Sequence, residues 1–329
     1  MSHRVFVSRL IPEAGLEILR ARTDLDVWSG EMPPSPTELR DRVKGCDGAI
    51  CLLSDTIDAA FFKAAGPALK VVSLFAAGYN NVDMNAAREA RVIITNTPDQ
   101  LTEATAELAF TLMAAAARRV KEGIDNVRDG QWRTWGPLIL RGRDLRGSTL
   151  GIIGMGRIGA ALARRAVAFG MQVVFFDPSP FMIPPGDAPV TRVATLDELL
   201  GRSDFVSLHC PLTPQTRHII RKETIALMKP GCVLVNTARG PCIDTDALVD
   251  ALKKDRIFAA GLDVTDPEPL PADHPLVSLP NCLILPHVGS ATFSTRDAMA
   301  VGAARNLLDV LDNRLPADTL NPDVFSLPH

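Results

Sequence analysis

Two sets of residues in this 329-residue chain have the types and spacing that chemistry requires. The first is Thr149-Leu-Gly-Ile-Ile-Gly154-Met-Gly156-Arg-Ile-Gly159, followed by the Ala-rich stretch Ala160–Ala166. Read as strand, turn and helix, this order can hold a dinucleotide. Gly154 permits the tight turn, Gly156 leaves room for a pyrophosphate, and Gly159 lets the helix pack closely on the sheet. The free N–H groups of the first helical turn then face the phosphates. Three glycines alone also suit a merely structural turn, so the context decides. Asp177 closes the next apolar run, Val173-Val-Phe-Phe, where a carboxylate can accept from both ribose hydroxyls and repel a 2′-phosphate. No Arg or Lys follows immediately in Pro178-Ser-Pro-Phe, which predicts NAD(H) rather than NADP(H).

The second set lies just past three later apolar runs. Arg239 follows Val233–Val235 in Asn236-Thr-Ala-Arg-Gly240, and Asp263 and Glu268 follow Phe258–Ala260. His287 follows Leu283–Leu285 in Pro286-His-Val-Gly-Ser290. In open α/β sheets, ligands bind at the carboxyl ends of the strands. Singly, each has a plain alternative: a surface cation, a solvated acid between prolines, an imidazole at the core edge. Together, beside a dinucleotide motif, they point to a reaction centre.

Other chemistries are excluded. Tyr79, the single tyrosine, has no Lys four residues on, and neither a Gly-x-Ser-x-Gly elbow nor a Gly-Lys-Ser/Thr phosphate loop is present. His209 and Cys210 are adjacent and so point apart at a strand end, with no nearby set to complete a tetrahedral site; no metal is expected. The formal net charge of -3 lacks the basic surplus of a nucleic-acid binder. The most apolar segment, Leu108–Ala117, contains Thr111 and is closed by Glu107 and Arg118-Arg119, too short for a membrane span. Val5–Val7 is too short for a secretory apolar region. Six cysteines form no Cys-x-x-Cys pair, and five of them sit beside aliphatic residues or Pro in segments that read as buried, as thiols do in a reducing cytoplasm.

Two series of alternating elements must position these residues. Strands are expected at Val5–Val7, Leu25–Val27, Gly48–Leu53, Lys70–Leu74 and Val92–Thr95, with helices at Glu13–Arg20, Pro36–Val43, Ala59–Ala65 and Asn85–Ala90. A second series has strands at Thr149–Ile153, Gln172–Phe176, Asp204–Leu208, Cys232–Val235, Phe258–Leu262 and Leu283–Leu285. Its helices are expected at Arg157–Phe169, Leu196–Leu200, Arg221–Met228 and Thr245–Leu252, with a Pro-rich loop at Phe181–Pro189. Such alternation predicts two doubly wound parallel sheets. Between the series, Thr102–Val120 reads as one long helix buried on several sides. Gly123–Gly147, with Trp132 and Trp135 and without clear periodicity, reads as an extended arm that anchors on a partner chain. A last helix spans about Thr292–Leu311.

The chain resembles the D-2-hydroxyacid dehydrogenases, and among them the glyoxylate/hydroxypyruvate reductase and D-glycerate dehydrogenase branch. The resemblance spans nearly the whole chain. It is carried by Ala76-Ala-Gly-Tyr-Asn-Asn-Val-Asp83, Thr97-Pro98, Leu101–Ala109, Gly151–Gly159, Pro211-Leu-Thr-Pro214, Val235–Gly240, Ala260–Val264 and Pro286–Thr292. It implies a Rossmann cofactor domain (99–288) inserted in a flavodoxin-like substrate domain (1–98 and 289–329). Arg239 would hold the substrate carboxylate, His287 would give or take the proton, and Glu268 would orient and charge the imidazole. Asp263 would lie near the nicotinamide. The amides of Ala77 and Gly78 would meet the other side of the substrate. Thr105, Arg157, Ile158, Pro211, Thr216 and Ala238 match cofactor-contacting positions. Trp135 matches a Trp that enters the partner's active site in a homodimer.

The implied activity is NADH-dependent reduction of glyoxylate or hydroxypyruvate to glycolate or D-glycerate. Alternatives on the same scaffold are bulkier 2-keto acids, 3-phosphoglycerate or phosphite oxidation, and a non-catalytic NAD sensor or corepressor-like scaffold. Ala76 and Ala77 replace the family's more usual Val-Gly or Ile-Gly, which leaves substrate size open, while Asp177 stands where NADPH-preferring members carry Ser or Arg.

Overall fold

The computed structural model of the chain describes residues 2–179 and 188–326. It divides into two units, one formed by residues up to Leu101 together with those from Ser290 onward, the other by Thr102–Gly289.

The first unit opens with β1 (His3–Val7), α1 (Glu13–Arg20), β2 (Thr23–Val27), α2 (Pro36–Val43), β3 (Gly48–Cys51), α3 (Ala59–Ala65), β4 (Val71–Leu74), α4 (Met84–Glu89) and β5 (Ile93–Thr95). The strands are parallel in the order β2-β1-β3-β4-β5. Alternate residues divide the sheet's faces. Phe6, Ala49, Cys51, Val72 and Leu74 pack with Leu39, Phe61 and Phe62 on one side, while Val5, Val7, Ile50 and Val71 pack with Leu16 and Leu19 on the other. A sheet covered on both faces explains why β3 and β4 are apolar almost throughout. Polar caps set the helix starts: Ser35 and Glu38 close a capping box on α2, and Asp58 and Asp83 accept amides of α3 and α4.

The second unit begins with α5 (Thr102–Ala117) and α6 (Val120–Arg128). There follow β6 (Thr149–Ile153), α7 (Arg157–Ala168), β7 (Gln172–Phe176), β8 (Val190–Arg192), α8 (Leu196–Arg202), β9 (Phe205–Leu208), α9 (Lys222–Leu227), β10 (Cys232–Asn236), α10 (Thr245–Lys253), β11 (Ile257–Leu262), α11 (Pro275–Ser278) and β12 (Cys282–Ile284). Its parallel sheet runs β12-β11-β10-β9-β6-β7-β8, and the order reverses between β6 and β9. That reversal opens the crevice in which doubly wound sheets take nucleotides. On one face Leu112 and Met113 of α5 and Ala160 of α7 meet Ile152, Phe205, Val233 and Val235; on the other, Leu199 of α8 and Leu248 of α10 meet Val206, Leu208 and Leu234.

Three expectations need correction. The single helix over Thr102–Val120 is two helices, because Arg119 adopts a left-handed backbone (φ 54°) and clamps Glu122 with two bonds of 2.8 and 2.6 Å. The arm predicted from Gly123 therefore begins inside α6. The strand β8 has no counterpart among the predicted elements. The loop expected at Phe181–Pro189 lies, apart from Ala188 and Pro189, outside the described residues. Among the described residues no helix is long and apolar enough to cross a membrane.

After Thr292, which caps it by accepting the Thr295 amide, α12 (Phe293–Leu311) returns to the first unit. Ala300, Ala303, Ala304 and Leu307 pack there with Val5, Ile50 and Leu16, and Ser73 donates to the Ala303 carbonyl at 2.9 Å. Asn321 then pairs with β5, accepting the Ile94 amide at 2.8 Å and donating to the Val92 carbonyl at 2.9 Å.

Candidate active site

The glycine turn joins β6 to α7. Gly154 has φ 95°, and a side chain there would stand 2.7 Å from the Cys210 amide nitrogen. Above Gly156 there is open space, since a Cβ would meet nothing within 4 Å. Gly156 caps α7 without a side-chain bond, and the first-turn amides of a helix are natural donors to an anion. A turn tight beneath and open above fits a dinucleotide pyrophosphate. Arg157 and Ile158 begin α7, Arg157 exposed and Ile158 partly packed on the core.

Asp177 stands at the end of β7. Its Oδ2 accepts the Met155 amide and its Oδ1 the Ser179 amide, both at 2.8 Å. The carboxylate is thus pinned beside the glycine turn, with lone pairs left for ribose hydroxyls. A cavity of about 420 Å³ is lined by Phe176, Asp177, Pro178, Arg192, Val193 and Ala194. Pro211 and Thr216 lie on the loop after β9, closed on itself by the Thr216 hydroxyl donating to the Pro211 carbonyl at 2.6 Å.

Arg239 follows β10 on a turn fixed by Asn236, whose side chain accepts the Ala238 amide at 3.0 Å and donates to the Arg239 carbonyl at 2.8 Å. The guanidinium donates to the Ala238 carbonyl at 2.7 Å. Burial pulls its pKa down against the opposing charge of Glu268, yet guanidinium stays protonated in proteins. Gly240 packs directly on the backbone of Thr265.

Glu268 and His287 meet at 2.6 Å through Oε1 and Nδ1. The second carboxylate oxygen, Oε2, accepts the Thr265 amide at 3.3 Å. Partial burial alone would raise the Glu268 pKa, but the bond and charge of His287, the Thr265 amide and Arg239 bring it below the usual range. With Nδ1 engaged, the imidazole's other nitrogen, Nε2, is the one left to act on a substrate. His287 has a left-handed backbone (φ 54°), stabilised from below by Asp263. The Asp263 carbonyl accepts the His287 amide at 2.9 Å, and its two carboxylate oxygens accept the amides of Val288 and Gly289 at 2.8 Å each. Thr105 of α5 touches the same loop, its hydroxyl 3.4 Å from the Gly289 carbonyl.

The second unit therefore carries Arg239, Glu268, His287, Asp263, Ala238 and the glycine turn on its strand-end loops, with Thr105 of α5 against the last of them. Ala77 and Gly78 belong to the first unit, past the end of β4, where Asn96 donates to the Ala77 carbonyl at 2.7 Å. Trp135 is 80% exposed. Sequence reading missed Asn236, Thr265 and Gly240. An Asn closing a strand two residues before a turn was the available signal for the first.

The segment 110–289 matches the family model described as D-isomer specific 2-hydroxyacid dehydrogenase, NAD binding domain. The chain is 46% identical over 328 residues to a glyoxylate reductase of Korarchaeum cryptofilum, covering 99% of this chain and 98% of that one. Among solved structures, the TT0316 protein of Thermus thermophilus superimposes with a TM-score of 0.90 at 48% identity, over 96% of this chain and 99% of that one. A glyoxylate reductase from Paecilomyes thermophila gives 0.86 at 32% identity, over 98% and 99%. Fold, nucleotide turn and these likenesses converge: the chain belongs to the D-isomer specific 2-hydroxyacid dehydrogenase family, as an NAD-dependent dehydrogenase/reductase.

Proposed function

We propose that this chain reduces glyoxylate and hydroxypyruvate with NADH, giving glycolate and D-glycerate. The 2.6 Å pairing of His287 with Glu268, on loops adjoining Arg239, carries the reading. The glyoxylate reductases of Korarchaeum and Paecilomyes support the substrate class.

When bound, NADH supplies a hydride for the substrate's carbonyl carbon. The residues of the chain handle the remaining charges. Arg239 holds the 2-keto acid's carboxylate, using a planar fork of parallel donors that Lys lacks. Negative charge develops on the carbonyl oxygen, and His287 donates a hydrogen bond and then a proton to it through Nε2. Glu268 fixes the ring through Nδ1 and offsets the positive charge of the protonated imidazole. In the oxidative direction neutral His287 takes the hydroxyl proton. Gly154, Gly156, Gly159, Arg157 and Ile158 hold the pyrophosphate, and Asp177 the ribose. Thr105, Pro211, Thr216, Ala238 and Asp263 complete the cofactor contacts, and the amides of Ala77 and Gly78 are assigned to substrate binding.

A homodimer is part of the reading, with Trp135 entering the partner's site. The exposed large apolar side chains of this segment, Ile124, Val127, Trp132, Trp135 and Leu138 among them, support it, because apolar side chains left in solvent at this density are characteristic of an interface. The six buried free thiols support a reducing, cytoplasmic setting.

Purified protein assayed with NADH against glyoxylate, hydroxypyruvate, pyruvate and phenylpyruvate tests the reading. Highest kcat/KM on one of the first two is expected. Preference for phenylpyruvate, or no NADH oxidation with any of them, would overturn it.

A further inference from the structure

We infer that Arg192 is a coenzyme-specificity residue, a cation in the adenosine pocket that receives a 2′-phosphate and lets this chain take NADPH as well as NADH. The inference rests on the reading of the second unit as the NAD(H) site.

Sequence order hides this residue, for it stands fifteen positions beyond Asp177. The fold brings it back. Edge strand β8 pairs parallel with β7 so that Arg192 lies opposite Phe175, one residue short of the pocket-lining Phe176 and two short of Asp177. Its Nη2 donates to the Asp177 carbonyl at 2.6 Å and lies 3.4 Å from the Ser179 carbonyl. The guanidinium is thereby held at the turn that carries the ribose-binding carboxylate. Among the described residues only Nη2 is engaged, by these two carbonyls. Arg192 and Asp177 line the same cavity of about 420 Å³.

Charge decides what this pocket accepts. A lone carboxylate at the strand end would repel a 2′-phosphate, which is the usual basis of NADH selectivity. Here each carboxylate oxygen already accepts a backbone amide, from Met155 and Ser179. The guanidinium of Arg192 also reaches this turn from the end of β8, so the pocket carries one cation beside its one carboxylate. Arg is the residue type whose donors best match phosphate oxygens. The simpler alternative is that Arg192 only ties down the turn after β7. That role would affect all adenosine ligands alike, whereas phosphate recognition affects only those bearing a 2′-phosphate.

The test uses equilibrium binding, by calorimetry, of adenosine 2′,5′-bisphosphate and of 5′-AMP to the full-length wild type and to Arg192→Gln and Arg192→Lys. Thermal melts serve as the folding control. Wild type should bind the bisphosphate within about tenfold of 5′-AMP. Arg192→Gln should shift the ratio of the two affinities against the bisphosphate by about tenfold or more, the usual weight of one charge-assisted bond, and Arg192→Lys should restore part of it. NADPH and NADH dissociation constants, read from nicotinamide fluorescence, should shift in the same ratio. Equal losses for both ligands, or a wild type that binds 5′-AMP and rejects the bisphosphate, would overturn the role of Arg192. Binding of neither nucleotide, nor of NADH, would overturn the NAD(H) reading itself and the inference with it.

Discussion

The α-carbon of Gly240 lies so close to Thr265 that a Cβ would stand 1.8 Å from the Thr265 carbonyl oxygen. That contact locks the loop bearing Arg239 against the loop bearing Glu268. The clashing atom is backbone, so it cannot rotate away as a side chain would. Gly240→Ala must displace one loop by roughly 1.5 Å, and misplacement on that scale costs on the order of 10²-fold in rate. Steady-state kinetics should show kcat falling while the NADH dissociation constant changes little. Unaltered kcat would mean the two loops need no fixed spacing.

Asp263→Asn addresses the support of His287. The carboxylate accepts the amides of Val288 and Gly289, and an Asn side chain would turn an NH₂ toward one of them. Losing one bond to a buried charged acceptor costs about 2 kcal/mol. Amide hydrogen exchange at Val288 and Gly289 should accelerate, with kcat reduced about tenfold. Exchange rates equal to wild type would remove Asp263 from this role.

Much of this arrangement could be read from one dimension. Helices Glu13–Arg20, Pro36–Val43 and Ala59–Ala65 and strands Thr149–Ile153 and Gln172–Phe176 have the expected ends, because caps, glycines and apolar runs coincide there. The break at Arg119 was hidden, for no Gly or Pro marks it. Helix α6 does carry a stripe at Val120, Ile124 and Val127, but Gly123 and Gly130 obscured it, and these side chains are exposed in the single chain. At the site, strand ends identified Arg239, Glu268 and His287, since position past a parallel strand is a sequence property. Which acid meets the imidazole, what Asp263 holds, and the approach of Arg192 to Asp177 depend on pairing between distant segments, which periodicity does not encode.

Acid stability should depend on His209. Its Nε2 bonds the Ser207 hydroxyl at 2.8 Å, Nδ1 has no hydrogen-bond partner among the described residues, and burial holds its pKa down to about 4. The unfolded chain binds this proton at about 6.5, so between pH 6.5 and 4 the unfolded state carries more protons and stability falls as pH falls. The loss amounts to on the order of 2–3 kcal/mol by pH 4. His209→Gln should flatten the decline of melting temperature between pH 7 and 4.5. Parallel curves for the two proteins would contradict it.

Arg239→Lys separates substrate from cofactor. A point charge replaces a planar fork, so KM for glyoxylate should rise roughly 10- to 100-fold while the NADH dissociation constant moves far less. An unchanged KM would count against a carboxylate partner at this position.

Proton delivery by an imidazole braced on Glu268 is tested most directly by His287→Ala. Single-turnover kinetics with saturating NADH and glyoxylate, alongside fluorescence titration of NADH, should show cofactor binding preserved and the rate lowered by about 10²-fold or more. Turnover within a few-fold of wild type would mean that another group supplies the proton.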